Sequence, residues 1–188
     1  MGLFDRFKSK TATTQKASTA ARVKKGTSPT QQGLTAKEWC DKGFELGTLG
    51  RLQEALQCCD KALAIDPQCA KAWNNKGYAL ARSNHPQEAI KCLDKALAID
   101  PNSADLWAMK GAVLRNFRDK DHYQEAIQCF DKALEIYPQH AEACHNKGLT
   151  LNNLGHHQEA IQCFEKSLEI NPQNIYAQQA KNMILRLK

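Results

Sequence analysis

The 188-residue sequence contains no long apolar run. Its mean hydropathy is −0.58, and no segment approaches the ~18–20 apolar residues that a bilayer-spanning helix requires. The first ten residues also lack the apolar core, about 7–15 residues long, of a secretory signal peptide. The sequence therefore argues against a membrane-spanning protein, and we expect no export signal.

The sequence also lacks the short motifs that mark common catalytic and cofactor sites. No CxxC pair, Walker A sequence or GxGxxG sequence is present, and no acid–base or nucleophile constellation stands out. We therefore expect a protein that is not an enzyme and that has no cofactor, metal or small-molecule substrate. Eight cysteines without an export signal indicate a reducing compartment, which favours a cytoplasmic location.

Most of the chain lacks a net charge, because the excess of basic residues is concentrated at its start. Residues 1–33 carry seven basic residues and one acid, which accounts for the whole net charge of +6. This segment is also poor in bulky apolar residues, so it cannot bury enough surface to order itself. We expect a disordered basic tail over residues 1–34, followed by one domain over 35–188.

What the remaining sequence does contain is an internal repeat. The three tryptophans, Trp39, Trp73 and Trp107, are 34 residues apart. Lys-Gly, Gln-Glu-Ala and a closing proline recur in the same register, with spacings of 34, 37 and 34 residues. The predicted repeats are 36–69, 70–103, 104–140 and 141–174. Three extra residues in the third repeat, near Phe117–His122, are expected to lengthen a turn.

Each repeat has the pattern of two helices. In the second repeat, Trp73, Gly77 and Leu80 share one helix face, and Ser83 to Pro86 then interrupt the pattern. Asn tolerates the left-handed conformation at such a break, and proline suits the first position of a helix. A second apolar stripe follows, and the Asp-Pro step before the next repeat ends it.

Both ends of the array carry recognisable helix signals. Thr35 and Glu38 fit a capping box, so the first helix should begin near Ala36. Residues 175–188 are predicted to form a cap helix that covers the last apolar face of the array. The residues assigned to its covering face are Tyr176, Ala180, Met183, Ile184 and Leu187.

The repeat resembles the tetratricopeptide repeat family over about four-fifths of the chain. The resemblance is carried by Trp39, Gly43, Leu46, Ala55, Ala62 and Pro67 and by their counterparts in the later repeats. It implies an all-α, right-handed superhelical solenoid of four helix pairs plus a C-terminal cap helix. It also implies an inner surface that is lined by the first helix of each pair and usually holds a peptide. Cys59, Cys144 and Ser167 depart from the family pattern.

A column of cysteines and a set of histidines were weighed as metal or redox sites. Cys58, Cys92, Cys129 and Cys163 occupy one place in all four repeats, but successive repeats lie roughly 20 Å apart, given helix diameters of about 10 Å. Zinc–thiolate bonds are ~2.3 Å long, so packing explains this column better than a metal does. The histidines near the turns, His85, His122, His156 and His157, are interpreted as solvated. The acids Asp60, Asp94, Asp131 and Glu165 are interpreted as a solvated charged face.

By resemblance to the family, the inner groove is the candidate binding site. Its residues are Lys71, Asn74, Asn75, Tyr78, Arg82, Met109, Arg115, His145, Asn146, Asn152 and Asn153, with Asp105, Asn116 and Glu142 beside them. The asparagine amides are expected to hold a peptide backbone, and Tyr78, Phe44 and Met109 to form apolar pockets. Of the positions that clamp a terminal carboxylate in chaperone-binding relatives, only Asn75 matches, which argues against chaperone tails as ligands.

Three functions remain open from the sequence. The first is a non-catalytic scaffold or adaptor that binds a protein or peptide segment in the groove. For this function, replacing Asn75 and Asn146 by alanine should weaken partner binding and leave thermal stability nearly unchanged. The second is a tether, in which the basic tail makes weak, salt-sensitive contact with nucleic acid or an anionic membrane while the repeats hold a partner. The third is a metal- or redox-active module that uses the cysteines.

Overall fold

The computed structural model describes residues 33–186, and this part of the chain forms nine α-helices and no strand. The helices are α1 (Ala36–Thr48), α2 (Leu52–Ile65), α3 (Ala70–Arg82), α4 (Pro86–Ile99), α5 (Ala104–Arg115), α6 (Lys120–Ile136), α7 (Ala141–Asn153), α8 (His157–Ile170) and α9 (Ile175–Leu185). The first eight form four helix pairs, so the all-α solenoid predicted from the repeat is confirmed. Within residues 33–186, no helix has both the length and the apolarity to cross a bilayer.

Local sequence chemistry sets the helix ends. The Thr35 hydroxyl accepts a bond from the Glu38 backbone N–H, and the Glu38 carboxylate accepts one from the Thr35 N–H, which confirms the capping box. The turn inside the second pair contains Asn84 at φ +65°, and Pro86 is the first residue of α4. These are the left-handed residue and the helix-starting proline that the sequence indicates.

The two helices of a pair cross at the glycine of Lys-Gly. A β-carbon on Gly111 or on Gly148 would lie 2.7 Å from the ring of Phe130 or of Phe164, respectively. These approaches are too close for any side chain, so the recurrent glycine has a packing reason. In the first pair the corresponding neighbour of Gly43 is the smaller Cys59, at 3.2 Å.

Consecutive repeats are joined by bonds that recur in register. The indole N–H of Trp73 donates to the Pro67 carbonyl, and that of Trp107 to the Pro101 carbonyl, each at 2.9 Å. An acid in the second helix of one repeat also pairs with the Lys-Gly lysine, or its counterpart in α9, always 16 residues later. These inter-repeat ion pairs are Asp60–Lys76, Asp94–Lys110, Asp131–Lys147 and Glu165–Lys181, at 2.6, 2.8, 2.5 and 2.6 Å.

The acids of the inter-repeat ion pairs are solvated, as interpreted from the sequence, and they also contact lysines of the next repeat. The carboxylates are about half exposed, but the lysine side chains are only 15–27% exposed and lie against the preceding repeat. Burial alone lowers the pKa of Lys110, yet the hydrogen bond and charge of Asp94 raise it overall. The acids therefore help to hold one repeat on the next.

The contacts between helices define an inner and an outer side of the array. Besides its partner within the repeat, α3 packs against both α1 and α5, and α5 packs against α7. Among the described residues, no second helix packs in this way against the second helix of the next repeat. The first helices α1, α3, α5 and α7 therefore line the shorter, inner side, and this side is called the inner face below.

The insertion in the third repeat lengthens a helix more than a turn, contrary to the prediction. The segment between α5 and α6 has four residues, only one more than the corresponding segments, whereas α6 has 17 residues and the other second helices have 14. The Asp119 side chain accepts the His122 backbone N–H at 2.9 Å and so starts α6 early. The Phe117 ring stacks on His122 with centroids 4.1 Å apart.

Helix α9 covers the end of the fourth repeat with a different face from the one predicted. Ala177 and Ile184 are buried and Ala180 is half-buried, whereas Tyr176 and Met183 are exposed. The small side chain of Ala177 allows the close approach to α8 that a tyrosine would prevent. The prediction of the covering face was therefore wrong at Tyr176, where the next residue, Ala177, is buried instead, and at Met183.

Candidate functional site

The N-terminal half of the inner face is closed by contacts within the protein. Lys71 of α3 pairs with Asp41 of α1 at 2.6 Å. The Arg82 guanidinium donates to the Gly47 carbonyl at 2.9 Å, near the end of α1, and to the Tyr78 hydroxyl at 3.4 Å. These side chains lie where the groove was predicted, but they connect the first two repeats.

Asn75 and Asn146 are buried between helices. Asn75 donates from Nδ2 to the Cys40 carbonyl at 3.0 Å, and its residue surface is only 5% exposed. Asn146 is 1% exposed, and its Oδ1 has no hydrogen-bond partner among the described residues. Asn75→Ala would remove a buried bond between α1 and α3, so from the structure we expect it to lower stability, in contrast to the expectation from the sequence.

The apolar pockets expected at Tyr78 and Met109 are not open pockets. Both side chains are buried in a hydrophobic cluster that joins the second and third repeats. His145 is also buried, with its ring centroid 5.6 Å from that of Phe164. These three residues pack the array, and the close first-helix neighbours leave no space beside them.

The remaining inner-face asparagines differ in their exposure. Asn74 is half-buried, and its Oδ1 has no partner. Asn152 lies 2.9 Å from the His157 ring, from Oδ1 to Nδ1. Asn153, the last residue of α7, is exposed.

A half-open cavity of about 430 Å³ lies at the C-terminal ends of α5 and α7. It is bordered by the last residue of α5, the turn that follows, the first turns of α6 and the last residue of α7. We call this space the Arg115 cavity. Its lining residues are Arg115, Asn116, Arg118, Tyr123 and Asn153. The structure thus brings Arg115 and Asn153 of the predicted groove together, with Asn116 beside them.

Sequence reasoning missed Arg118 and Tyr123. Arg118 adopts φ +60°, which a non-glycine residue seldom does, and it occupies the place that Asn84 has in the second repeat. Both missed residues lie in or next to the three-residue insertion. The insertion was the available signal, but it was interpreted as a longer turn and not as part of a site.

Arg115 is the unusual charge of this region. Its Nε is buried and has no hydrogen-bond partner, and no described carboxylate forms an ion pair with its guanidinium. Burial lowers the pKa of Arg115; the nearby Tyr123 opposes that effect and the positive charge of Arg118 adds to it. The cavity therefore contains two cations with no neutralising group.

The cysteine column behaves as core packing. Cys58, Cys92 and Cys129 are buried and belong to hydrophobic clusters, while Cys163 is half-buried against another. Burial raises the pKa of the Cys129 thiol to about 11. Burial also raises the pKa of the Cys92 and Cys163 thiols, which favours the neutral thiol over the reactive thiolate at these three positions.

Of the four histidines near the turns, His85 is exposed and the other three have a local partner. His122 contacts Asp119 with Nδ1 2.6 Å from Oδ2, His156 contacts Glu159 at 2.8 Å, and His157 contacts Asn152. In the part of the chain that the structure describes, no group of three histidine, cysteine or acidic residues is arranged to hold a metal ion. The predicted basic tail and the predicted cap residue Leu187 fall on residues 1–32 and 187–188, outside the described residues.

Comparisons with known proteins identify the repeat. Models of the tetratricopeptide repeat match residues 36–113, 104–140 and 141–174. None of the curated protein sequences matches this chain.

Similar solved structures include a crystal structure of MamA, which is 26% identical over 80% of this chain and 81% of that chain, with a TM-score of 0.68. They also include PilF of Pseudomonas aeruginosa, which is 26% identical over 81% of this chain and 70% of that chain, with a TM-score of 0.72. The first tetratricopeptide repeat domain of Spaghetti (RPAP3), bound to the HSP90 peptide SRMEEVD, is 22% identical over 65% of this chain and 94% of that chain, with a TM-score of 0.60.

Proposed function

Because the chain belongs to the tetratricopeptide repeat family, we propose that it is a non-catalytic scaffold that binds an extended or short helical segment of a partner protein along its inner face. A solved structure of the same fold holds a peptide, so the fold is compatible with this role. The observation that carries the proposal is the Arg115 cavity, where polar side chains of the inner face remain open to a ligand.

The charges and contacts of the inner face favour its C-terminal half as the place of binding. In the first two repeats, Lys71 and Arg82 have partners within the protein. In the third and fourth repeats, Arg115 and Asn153 retain N–H groups that can donate hydrogen bonds to a peptide carbonyl or side chain. A segment that lies across α5 and α7 would therefore gain hydrogen bonds without breaking existing ones.

Peptide selection with the intact chain tests the proposal. Short random peptides are displayed and enriched on the full-length protein, and the best binder is titrated into isotope-labelled protein while backbone amide signals are followed. We expect shifts in α5 and α7 on the inner face. Asn153→Ala should weaken binding several-fold, which corresponds to one neutral hydrogen bond of about 1 kcal/mol.

Gln162→Ala is the matched control, because Gln162 is an exposed amide residue on the second helix α8. It should leave affinity unchanged. Enriched peptides that shift only the second helices, or selection that yields no specific binder, would contradict the scaffold proposal.

The tether remains a second candidate because the whole net charge lies in residues 1–33. Contacts of such a tail with nucleic acid or anionic vesicles would weaken as salt rises through ~0.15 M. Co-sedimentation at low salt, with the full chain and with a chain that lacks residues 1–33, tests it. Equal sedimentation of both chains would exclude the tether.

A further inference from the structure

The Arg115 cavity has a more specific chemistry than a general peptide groove. We propose that it is an oxyanion site, which binds the carboxylate or phosphate group of a side chain in the partner segment. The identity of the carrier as a partner segment rests on the proposed function, whereas the preference for an oxyanion rests on the cavity itself. Four observations support the site.

The first observation is that the Arg115 side chain has no hydrogen-bond or ion-pair partner within residues 33–186. Two other arginines of the described chain are engaged: Arg51 pairs with Glu54, and Arg82 donates to the Gly47 carbonyl. Arg115 has a buried Nε without an acceptor, and none of its guanidinium nitrogens forms a hydrogen bond within the described residues. Arg115 is half-buried with its Nε fully buried, and a partly desolvated cation without a counter-charge is costly, which favours an anion supplied by a ligand.

The second observation is the donor set around the cavity. The lining offers two guanidinium groups, from Arg115 and Arg118, two amides, from Asn116 and Asn153, and the hydroxyl of Tyr123. No carboxylate lines it. Guanidinium groups match the geometry of carboxylate and phosphate oxygens and form short, charge-assisted bonds with them.

The third observation concerns the nearest acid in the insertion, Asp119. Its carboxylate accepts the His122 backbone N–H and contacts the His122 ring, so it serves the start of α6. The groups that influence the pKa of Arg115 include the positive charge of Arg118 and do not include Asp119. The positive charge of the cavity therefore stays unneutralised although an acid lies next to Arg118 in the sequence.

The fourth observation is that these features are confined to the third repeat. The residues that correspond to Arg115 in the other repeats are Gly47, Ala81 and Asn152, none of which is charged. Arg118 stands at φ +60° in a turn place that Gly50, Asn84 and Gly155 fill elsewhere. A long basic side chain is strained in this conformation, so its presence here is better explained by binding than by folding.

The size of the cavity agrees with an oxyanion that is attached to a larger group. A volume of about 430 Å³ falls in the lower part of the range for small-molecule sites, ~300–1,000 Å³. It has room for a side chain as well as its charged end. Recognition of phosphorylated or acidic motifs by clustered arginines is a known mode of peptide binding.

The test uses three single-residue probes that differ only in the charge of their side chain: N-acetyl-phosphoserine amide, N-acetyl-glutamate amide and N-acetyl-glutamine amide. Each is titrated into the isotope-labelled full chain while the Arg115 Nε–H signal and the backbone amides of Asn116, Arg118 and Asn153 are followed. We expect saturable shifts with the two anionic probes and none with the glutamine probe. The tighter of the two anionic probes identifies the source as a phosphorylated or an acidic side chain.

Variants separate a site from general electrostatic attraction. Arg118→Gln should weaken binding of the better probe about tenfold, the equivalent of one charge-assisted bond. Lys120→Gln is the matched control, because Lys120 is exposed, carries the same charge and does not line the cavity. It should change affinity less than two-fold.

Arg115→Lys provides a second, independent variant that keeps the charge and loses the planar fork. Arg115→Lys should also lower the affinity for the better anionic probe, and Tyr123→Phe should lower it to a smaller extent. Equal shifts with all three probes, or equal weakening by Arg118→Gln and Lys120→Gln, would overturn the oxyanion site. Because the probes are single residues, they bind or fail to bind independently of whether any longer peptide is selected by the inner face.

Discussion

Arg82 and Arg115 are each the last residue of a first helix, and both lie on the inner face, but their surroundings differ. Arg82 connects α3 to the end of α1 through the Gly47 carbonyl. Arg115 ends α5 without any partner and borders a cavity. The same residue type, at nearly the same place, thus joins two repeats in the N-terminal half and borders a cavity in the C-terminal half, where we propose that it binds a ligand.

The core shows a related contrast between the two halves. The place beside the Lys-Gly glycine is filled by Cys59 in the first repeat and by the rings of Phe130 and Phe164 in the third and fourth. All three side chains are fully buried. The third and fourth repeats therefore place large aromatic rings against their Lys-Gly glycines, whereas the first repeat has a small, ionisable thiol in that place.

Truncation of these core residues should lower the free energy of unfolding much more in the C-terminal half than in the first repeat, and this is the largest difference that we expect. Phe130→Ala should lower the free energy of unfolding by about 3–5 kcal/mol, because it leaves a large cavity under Gly111. Cys59→Ala should cost about 1 kcal/mol, because it removes a single sulfur atom. Urea unfolding followed by far-ultraviolet circular dichroism measures both. Equal losses would show that the halves are packed alike.

Replacing each arginine by methionine should change stability in opposite directions. Arg82→Met removes a charged donor from the Gly47 carbonyl and should cost about 1.5–3 kcal/mol. Arg115→Met keeps the apolar stem and removes a half-buried charge that has no ion-pair partner among the described residues, so the melting temperature of the ligand-free protein should rise. Thermal unfolding of both variants checks the signs. A loss of stability in Arg115→Met would assign Arg115 a structural role like that of Arg82.

Alkaline pH should act on the buried thiols, and over the single unit from pH 9 to 10 it should give the smallest effect. Burial raises the pKa of Cys59 from an ordinary value of 9.0 to about 12 in the folded state. Because the folded pKa is the higher one, the neutral thiol contributes stability that is fully present below pH 9 and is lost between pH 9 and about 12. One such thiol should reduce stability by about 1.4 kcal/mol per pH unit in that window.

Cys59→Ala is the control for this dependence. Between pH 9 and 10 its unfolding free energy should fall less steeply than that of the wild type by about 1.4 kcal/mol per unit. The lysines of the inter-repeat ion pairs do not interfere, because Lys76, Lys110 and Lys147 have pKa values raised above 10.5. Parallel pH profiles would mean that the Cys59 thiol ionises as easily in the folded as in the unfolded chain.

The helices were predictable from the sequence because the same apolar spacing and the same turn residues recur four times. The start of α6 was not predictable in the same way, because it depends on whether Asp119 acts as a cap, and the other repeats have no counterpart. The face of α9 was misjudged because adjacent apolar stripes compete, and only packing shows that the small Ala177 approaches α8.

The candidate site was predicted less well than the fold. The family resemblance assigned Asn75 and Tyr78 to the groove by position along a helix, but neighbouring first helices approach closely enough to bury them. Arg115 and Asn153, both predicted for the groove, line the Arg115 cavity, and their role in binding stays a prediction. Arg118 and Tyr123 were missed because their place depends on the path of the insertion and not on the repeat pattern.

The inter-repeat ion pairs have a consequence for the symmetry of the array. In every pair the acid belongs to the earlier repeat and the lysine to the later one, as in Asp94–Lys110. The interface is therefore directional. One side of each repeat carries the accepting carboxylate, and the other side carries the donating lysine. Stacking by this interface can only proceed head to tail, and two identical ends cannot join through it.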